Sequence, residues 1–501
     1  MKRRTFLRSS LAAAAAATVP GPLRAAAFRP ARHFSQDIEA VTGDGRSVTL
    51  SRSAIGELAD ALRGRVLLAG EAGYDDARRI LNPSFDRYPA LIAQVTGAAD
   101  VRTAVDFARD NGGLLLAVKC GGHSASGQST CNRGMMIDLS PFRSVRVDPV
   151  ARTARVTGGS LLGSVDHEAM AYGLVTPMGT VSHTGVGGLV TGGGFGRVAR
   201  RFGLSVDNVN AVDVVTADGQ FRRASSDENA DLFWGVRGGG GNFGVVTSFE
   251  FRLHDMQRRI IGGQILFPMA RARDVLELYA EFAPRAPDEL QLDCVLVLPP
   301  GGAPGLAGFG VCWSGDESEA DRVLAPIRRL GTPAVDSIAP MDYVALQRSG
   351  DITDPRAQGE YLKAGFIPEL PPGLVSAIVD GFAGNPTRTT IMAFQPGGGA
   401  IGRVPPGATA FAQRDAMANM LCFVDWAHGT DPSAHIEWIR RFWTTLEPFT
   451  HGFYVNDLVA DVTAATIRDN YRQNHDRLVQ VKNRYDPTNL FRLNANIAPS
   501  V

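Results

Sequence analysis

The stretch Val118–Ser140, VKCGGHSASGQSTCNRGMMIDLS, decides the fold. It begins where a strand should end. "LLLAVK" (Leu114 to Lys119) is a short apolar run, preceded by the strand-like "PALIAQV" and the helical pattern "VRTAVDFARDN". In that pattern Val101, Ala104, Val105 and Ala108 fall on one face, Asp100 stands where an N-cap belongs, and Gly112 stops the run. Strand, helix, strand predicts parallel pairing through a right-handed crossover. Ligands of such layers gather beyond the strand ends. There the chain places two glycines, His123 and a run of small hydroxyl residues, which leaves backbone N–H groups bare. Such nests hold anions without a cationic side chain.

Two more glycine-rich loops follow, "GTVSHTGVGGLVTGGGFG" (Gly179–Gly196) and "RGGGGNFG" (Arg237–Gly244). The last contains GxGxxG at Gly239, Gly241 and Gly244, but the β-branched, alternating "VVTSFEF" comes next. A Rossmann dinucleotide site needs a helix at that place, so this reading fails on context. No P-loop is present. One loop would suit a lone phosphate; three suit a long ligand with a pyrophosphate in its middle. His123 has no second metal ligand at helical spacing, and Ser124, Ser126 and Ser129 form no GxSxG elbow. An imidazole nucleophile beside a cradled cofactor is the better use.

At 501 residues the chain exceeds what one core supports, roughly 250–300 residues. With 44% apolar and 20% charged residues its composition is ordinary for a soluble protein. Lys plus Arg and Asp plus Glu balance at 51 each, so no basic surplus exists to bind nucleic acid. The five cysteines include no CxxC, and no HExxH occurs, so no zinc site is visible. Cys120 and Cys131 could pair, but small buried thiols are the default. The first residues, "MKRRTFLRSSLAAAAAATVPGPLRAAA", have a basic start, a short apolar run and small residues at the end. With Arg3 and Arg4 this is a twin-arginine signal peptide over residues 1–27, implying export of a folded protein by the twin-arginine machinery to the periplasm or beyond. The apolar run is short for a membrane span.

Hairpins are expected at Asp148–Pro149 and, more clearly, at Asp218–Gly219. Beyond His254 strands such as "LQLDCVLVLPP" mix with amphipathic helices such as "PSAHIEWIRRFWTTL", as in an antiparallel α+β layer. The expected division is a cofactor domain over 28–257, a substrate domain over 258–450 and a tail over 451–501 that returns to the first.

Four motifs in order, "VKCGGHSASGQST", "GGGFGRVARRFGLSVDNVNAVDVVTADG", "DLFWGVRGGGGNFGVVTSFEF" and "RYDPTNLFRLNANI", resemble the berberine bridge enzyme-like oxidases of the vanillyl-alcohol oxidase fold group. The resemblance implies an α+β fold, a two-part FAD domain closed by the C-terminal tail, and an antiparallel-sheet substrate domain. It implies covalent attachment of FAD at His123. The family's second tether, a cysteine, matches Val181, so a single link is expected. FAD is expected on Lys119, Cys120, Gly121, Gly122, His123, Ser124, Ser126 and Gly127 of the first loop. The second loop adds Gly179, Thr180, His183, Thr184, Gly187, Gly188, Gly192, Gly193 and Gly194. Gly241, Asn242 and Val245 of the third, and Asn494 and Asn496 of the tail, complete the set. Lys119 would favour anionic reduced flavin, and Cys120 is either redox-sensitive or inert packing.

The family often carries Tyr-x-Asn-Tyr; here Tyr454, Val455 and Asn456 lead to Asp457. Tyr454 is the expected base or substrate-side acid, while Asp457 is either a base or, preferably, a solvated strand-end carboxylate. Gln395 and Lys363 are expected to face substrate. The implied reaction moves hydride from a hydroxyl- or amine-bearing carbon of a small molecule or saccharide to FAD and then to oxygen. A dehydrogenase with another acceptor, or a flavin-retaining binding protein without turnover, are the alternatives.

Overall fold

The computed structural model describes residues 34–352, 357–385, 389–457 and 462–500. The amino-terminal stretch read as an export signal lies outside them. The first sheet contains β1 (Arg65–Leu67), β2 (Leu91–Gln94), β3 (Leu116–Lys119) and β4 (Met135–Asp138), with helix α1 (Ala98–Asp110) between β2 and β3. Its order is β1-β2-β4-β3, and β2 and β3 each run parallel to β4. The strand–helix–strand unit is therefore parallel as expected, but its two strands do not touch. β4, from "MMID", inserts between them, because Met135, Met136 and Ile137 are wholly buried and a strand with no polar face belongs in the middle of a sheet. Asp100 is not the cap: α1 starts after Gly97, and Asp100 is its third residue. Its carboxylate accepts from the N–H groups of Thr96 (2.8 Å), Arg63 (2.9 Å) and Gly64 (3.0 Å), where it also suits the positive end of the helix dipole.

The second sheet is antiparallel. The hairpin of β5 (Val145–Asp148) and β6 (Thr153–Thr157) is followed by helix α2 (Val186–Gly192), and then by the hairpin of β7 (Val209–Val215) and β8 (Phe221–Ser225). Helix α3 (Ala230–Val236) leads to β9 (Val245–Arg252), giving the order β8-β7-β9-β6-β5. Gly219 turns the second hairpin at φ 73°, as Asp-Gly predicts. β9 directly follows the third glycine loop, so that loop opens a strand and not a helix.

The third sheet is built from β10 (Arg259–Pro268), β11 (Leu290–Leu298), β12 (Leu306–Trp313), β13 (Gln358–Ile367), β14 (Thr390–Pro396) and β15 (Ala418–Ala427). They run antiparallel in the order β10-β12-β11-β14-β15-β13, with two short strands beside β10. Helices at Ala272–Phe282, Pro372–Phe382 and Ser433–Leu446 cover one face. Alternation assigns every residue of these strands to a side. Met392 and Phe394 of β14, and Met420, Cys422, Val424 and Trp426 of β15, pack into the helix-side core. Phe366 of β13 points the other way, packing on Phe195 and Phe411 of the glycine-loop side.

The last helix, His475–Tyr485, buries Leu478, Val481 and Tyr485 in the same core as β9. Lys482, wholly buried, donates to Asp486 Oδ2 (2.6 Å) and to the carbonyls of Asn242 and Phe491 (both 2.9 Å). One ammonium thus ties the tail to the third glycine loop.

Candidate active site

The three glycine loops, the tail and the turn after Tyr454 meet around a single cavity. Its wall includes Gly121, Gly122, His123, Ser124 and Ser126, then Gly179, Thr180, Thr184, Gly187 and Gly188, then Gly241 and Val245, and finally Asn494. Loops one and two touch backbone to backbone. A Cβ on Gly121 would lie 2.3 Å from the amide nitrogen of Gly185, and a Cβ on Gly185 would lie 2.3 Å from that of Gly121. Gly188 and Gly241 do a different task. The side-chain direction of Gly188 meets no atom within 4 Å, and that of Gly241 meets only Asn494 Nδ2 at 3.9 Å, so these two leave space for a ligand. The side-chain oxygens of Ser129 and Asn494, both on the wall, are buried without a hydrogen-bond partner. Bare amides, open glycines and orphaned oxygens fit a sugar–pyrophosphate ligand such as FAD.

His123 stands on this wall with its Nε2 2.6 Å from Nδ1 of His183. His183 Nε2 accepts from the Ile352 N–H (3.0 Å), so neutral His183 carries its proton on Nδ1 and donates it to His123. Burial, then the neighbouring His183, pushes the His123 pKa down to about 4, which keeps the ring neutral. Val181 lines the cavity where a second tether would stand. All five cysteines are free thiols. Cys120 reaches the wall, but burial lifts its pKa to about 11 and its Sγ donates to the Gly158 carbonyl. It is inert packing.

Several expected ligands stand elsewhere. Val118 and Cys120 reach the cavity wall and Lys119 between them does not; its ammonium donates to the Ala77 carbonyl and lies 4.0 Å from Asp138. Gly127 backs onto Phe85. Gly192, Gly193 and Gly194 make room for Asn456, Phe411, Tyr454 and Ser205 instead of lining the cavity. Asn242, wholly buried, bonds the carbonyls of Gly239 and Ala495 and the Ile497 N–H, so it fastens the tail. Asn496 has a buried, unpartnered Oδ1 but is not on the cavity wall.

The substrate side changes more. Tyr454 lines the cavity edge-on to Phe195, yet its phenol oxygen already accepts from Gly194 N–H (2.8 Å) and Asn456 Nδ2 (2.7 Å). Burial, then the charge of Asp457, raises its pKa further, so it is a buried strut and a poor base. Lys363 is corrected outright. It shares a face with Tyr361, over whose ring its ammonium sits at 6.0 Å, and Tyr361 packs in the helix-side core. Strand alternation turns it from the cavity. Gln395, on the opposite register of β14, does line the cavity.

Asp457 is not a solvated strand-end group. It ends a short 3-10 turn, Val455–Asp457, on the cavity wall. Asn419 Nδ2 donates to both Asp457 Oδ2 (2.8 Å) and Gln395 Oε1 (2.9 Å). Burial lifts the Asp457 pKa to about 6 against that hydrogen bond. Asn419 has no marker in the sequence; only pairing of β15 with β14, which sets it opposite Gln395, brings it here.

Two family profiles match the chain, an FAD binding domain over residues 89–225 and a berberine and berberine-like segment over 454–498. An FAD-linked oxidoreductase of Dictyostelium discoideum is 30% identical over 448 residues, covering 89% of this chain and 97% of the relative. This chain is a berberine bridge enzyme-like FAD-linked oxidoreductase. The (R)-6-hydroxynicotine oxidase of Paenarthrobacter nicotinovorans is likewise 30% identical, over 88% of this chain and 97% of its own. The solved xylooligosaccharide oxidase from Myceliophthora thermophila, in complex with xylobiose, superposes with a TM-score of 0.79 at 26% identity, over 89% of this chain and all of its own. In the present oxidoreductase the FAD-binding profile spans the first two glycine loops of the cavity, and Gln395 of β14 reaches the wall from the third sheet. Among the described residues no group of His, Cys, Asp and Glu could hold a metal, and no helix is long and apolar enough to cross a membrane.

Proposed function

We propose that this oxidoreductase is an exported oxidase that carries FAD on His123 and oxidises a hydroxyl- or amine-bearing carbon of a small molecule, with Asp457 as base and oxygen as final acceptor. The carrying observation is the Asp457 carboxyl, held on the cavity wall by Asn419 with its pKa brought near 6. A base poised close to the working pH is what proton removal concerted with hydride loss requires. Bound FAD supplies the hydride acceptor. Asp457 takes the O–H or N–H proton, Gln395 and Asn419 orient it, and Phe195 with Tyr454 closes one side against water. Relatives named for a nicotine derivative and for a xylooligosaccharide support oxidation at amine and hydroxyl carbons respectively. The paired arginines at Arg3 and Arg4 support export.

The test is to denature purified mature enzyme in acid and measure the mass of the His123 peptide, then to follow peroxide in aerated buffer with no other acceptor. Flavin mass on that peptide and peroxide formation are expected; a colourless protein overturns the reading. His123→Ala should leave flavin that acid releases almost completely, because the glycine cradle still binds it without the covalent bond. A pH profile gives a second check. Asp457 works only when ionised, and its pKa is raised to about 6. Full kcat/KM is therefore expected above that value, falling about tenfold per pH unit below it.

A further inference from the structure

The cavity face of the third sheet carries an acid pair that the proton transfer does not use. Glu360 of β13 and Asp425 of β15 are direct cross-strand partners. Both lie on the sheet face opposite the helices, since Tyr361, Val424 and Trp426 occupy the helix side, and Gln395 of that same face reaches the cavity wall. Like charges directly opposite each other destabilise a sheet, and among the described residues no basic group acts on either carboxyl. Asp457 adds a third carboxyl close enough to Glu360 to raise its pKa, after burial and Asp425. Asp293, on β11, is a fourth on this face, with Arg197 the basic group near it.

Independently of these acids, Asn419 on the same face is wholly buried and its side-chain carbonyl oxygen has no hydrogen-bond partner. An acceptor desolvated in this way is held ready for a donor that the chain itself does not provide. Between Asn419 and Asp425 the same face of β15 shows Leu421 and Phe423, both only partly buried. An apolar strip therefore separates the proton-accepting end from the acid pair.

Resting on the oxidase reading above, we infer that Glu360 and Asp425 form a recognition site for an organic ammonium, and that the substrate is an elongated cation with an apolar body. Its charge rests on the acid pair, its body on Leu421 and Phe423, and its reacting end beside Asn419 and Asp457. The neutral polyhydroxyl surface of a sugar would leave both carboxyls unpaired and find few polar partners along the strip.

The experiment titrates holoenzyme with 4-phenylbutylammonium and with 4-phenyl-1-butanol, reading the change in flavin absorbance. At about pH 8 the ammonium stays protonated, and it should bind at least about tenfold more tightly than the alcohol, the worth of one hydrogen bond to a charged group. In the double variant Glu360→Gln, Asp425→Asn the two affinities should converge to within about twofold while flavin content is retained, since both changes keep side-chain shape and remove repulsion. Equal affinities in the parent enzyme, no saturable binding of the ammonium, or a preference that survives in the double variant overturns the cation site. Those outcomes in a yellow protein that makes peroxide leave the oxidase reading standing. A protein unable to hold FAD overturns that reading, and this inference with it.

Discussion

Asp457→Asn should lower kcat/KM by about 10²–10⁴-fold, the usual contribution of a positioned base, while flavin content stays that of the parent. Asparagine keeps the side chain's size and can still accept from Asn419 through its amide oxygen, so the wall should not collapse. What it loses is the ability to take a proton. Tyr454→Phe provides the contrast. It removes the acceptor for the Gly194 N–H and for Asn456, leaving buried donors unsatisfied at a cost of about 1–3 kcal/mol. Its signature should be a lower unfolding midpoint with the acid limb of the pH profile in place. If Tyr454→Phe abolishes that limb while Asp457→Asn preserves it, the base has been misassigned.

Lys482→Leu should have the largest effect on stability, about 3–5 kcal/mol, because removing one partner of a buried ion pair strands the other. Asp486 is wholly buried and would keep only the N–H groups of Leu490 and Phe491 as donors. The carbonyl of Asn242 would lose its donor as well, and that of Phe491 would keep only Asn494 Nδ2. Since Phe491, Leu493, Asn494 and Ala495 form part of the cavity wall, the same change should speed the loss of any flavin not covalently held. Urea unfolding of holoenzyme measures the first effect. Release of flavin from a His123→Ala background, with and without Lys482→Leu, measures the second. An unfolding midpoint equal to the parent's would mean that the Lys482–Asp486 pair does not hold the tail.

The parts of this site that the sequence made legible are those written in backbone chemistry. Glycines spaced among small residues forecast loops that approach a ligand, and three such loops do converge, because their requirement is local. Strand and hairpin positions were legible for the same reason, as at Gly219. What was hidden depends on which way a side chain points. Lys363 and Gln395 look equivalent in the sequence, both polar residues in apolar strands, yet one register turns Lys363 to the helices and the other turns Gln395 to the cavity. Lys119 failed by the same single-residue parity. Asn419 became visible only through a cross-strand partner 24 positions away. Asp457 was misjudged because burial, the cause of its raised pKa, is a property of the assembled wall. The insertion of β4 between β2 and β3 was equally non-local, though its unbroken apolar run was the available clue.

The alternation of the third sheet has a consequence for how such an enzyme can diversify. Met392, Phe394, Met420, Cys422 and Val424 are committed to the helices, while Ile391, Ala393, Leu421 and Phe423 stand on the other register. Selection can therefore rewrite every second letter of these strands, trading one substrate for another, without touching the letters that keep the layer of helices docked. A library confined to those outward positions should yield folded, yellow variants far more often than one that randomises the strands wholesale.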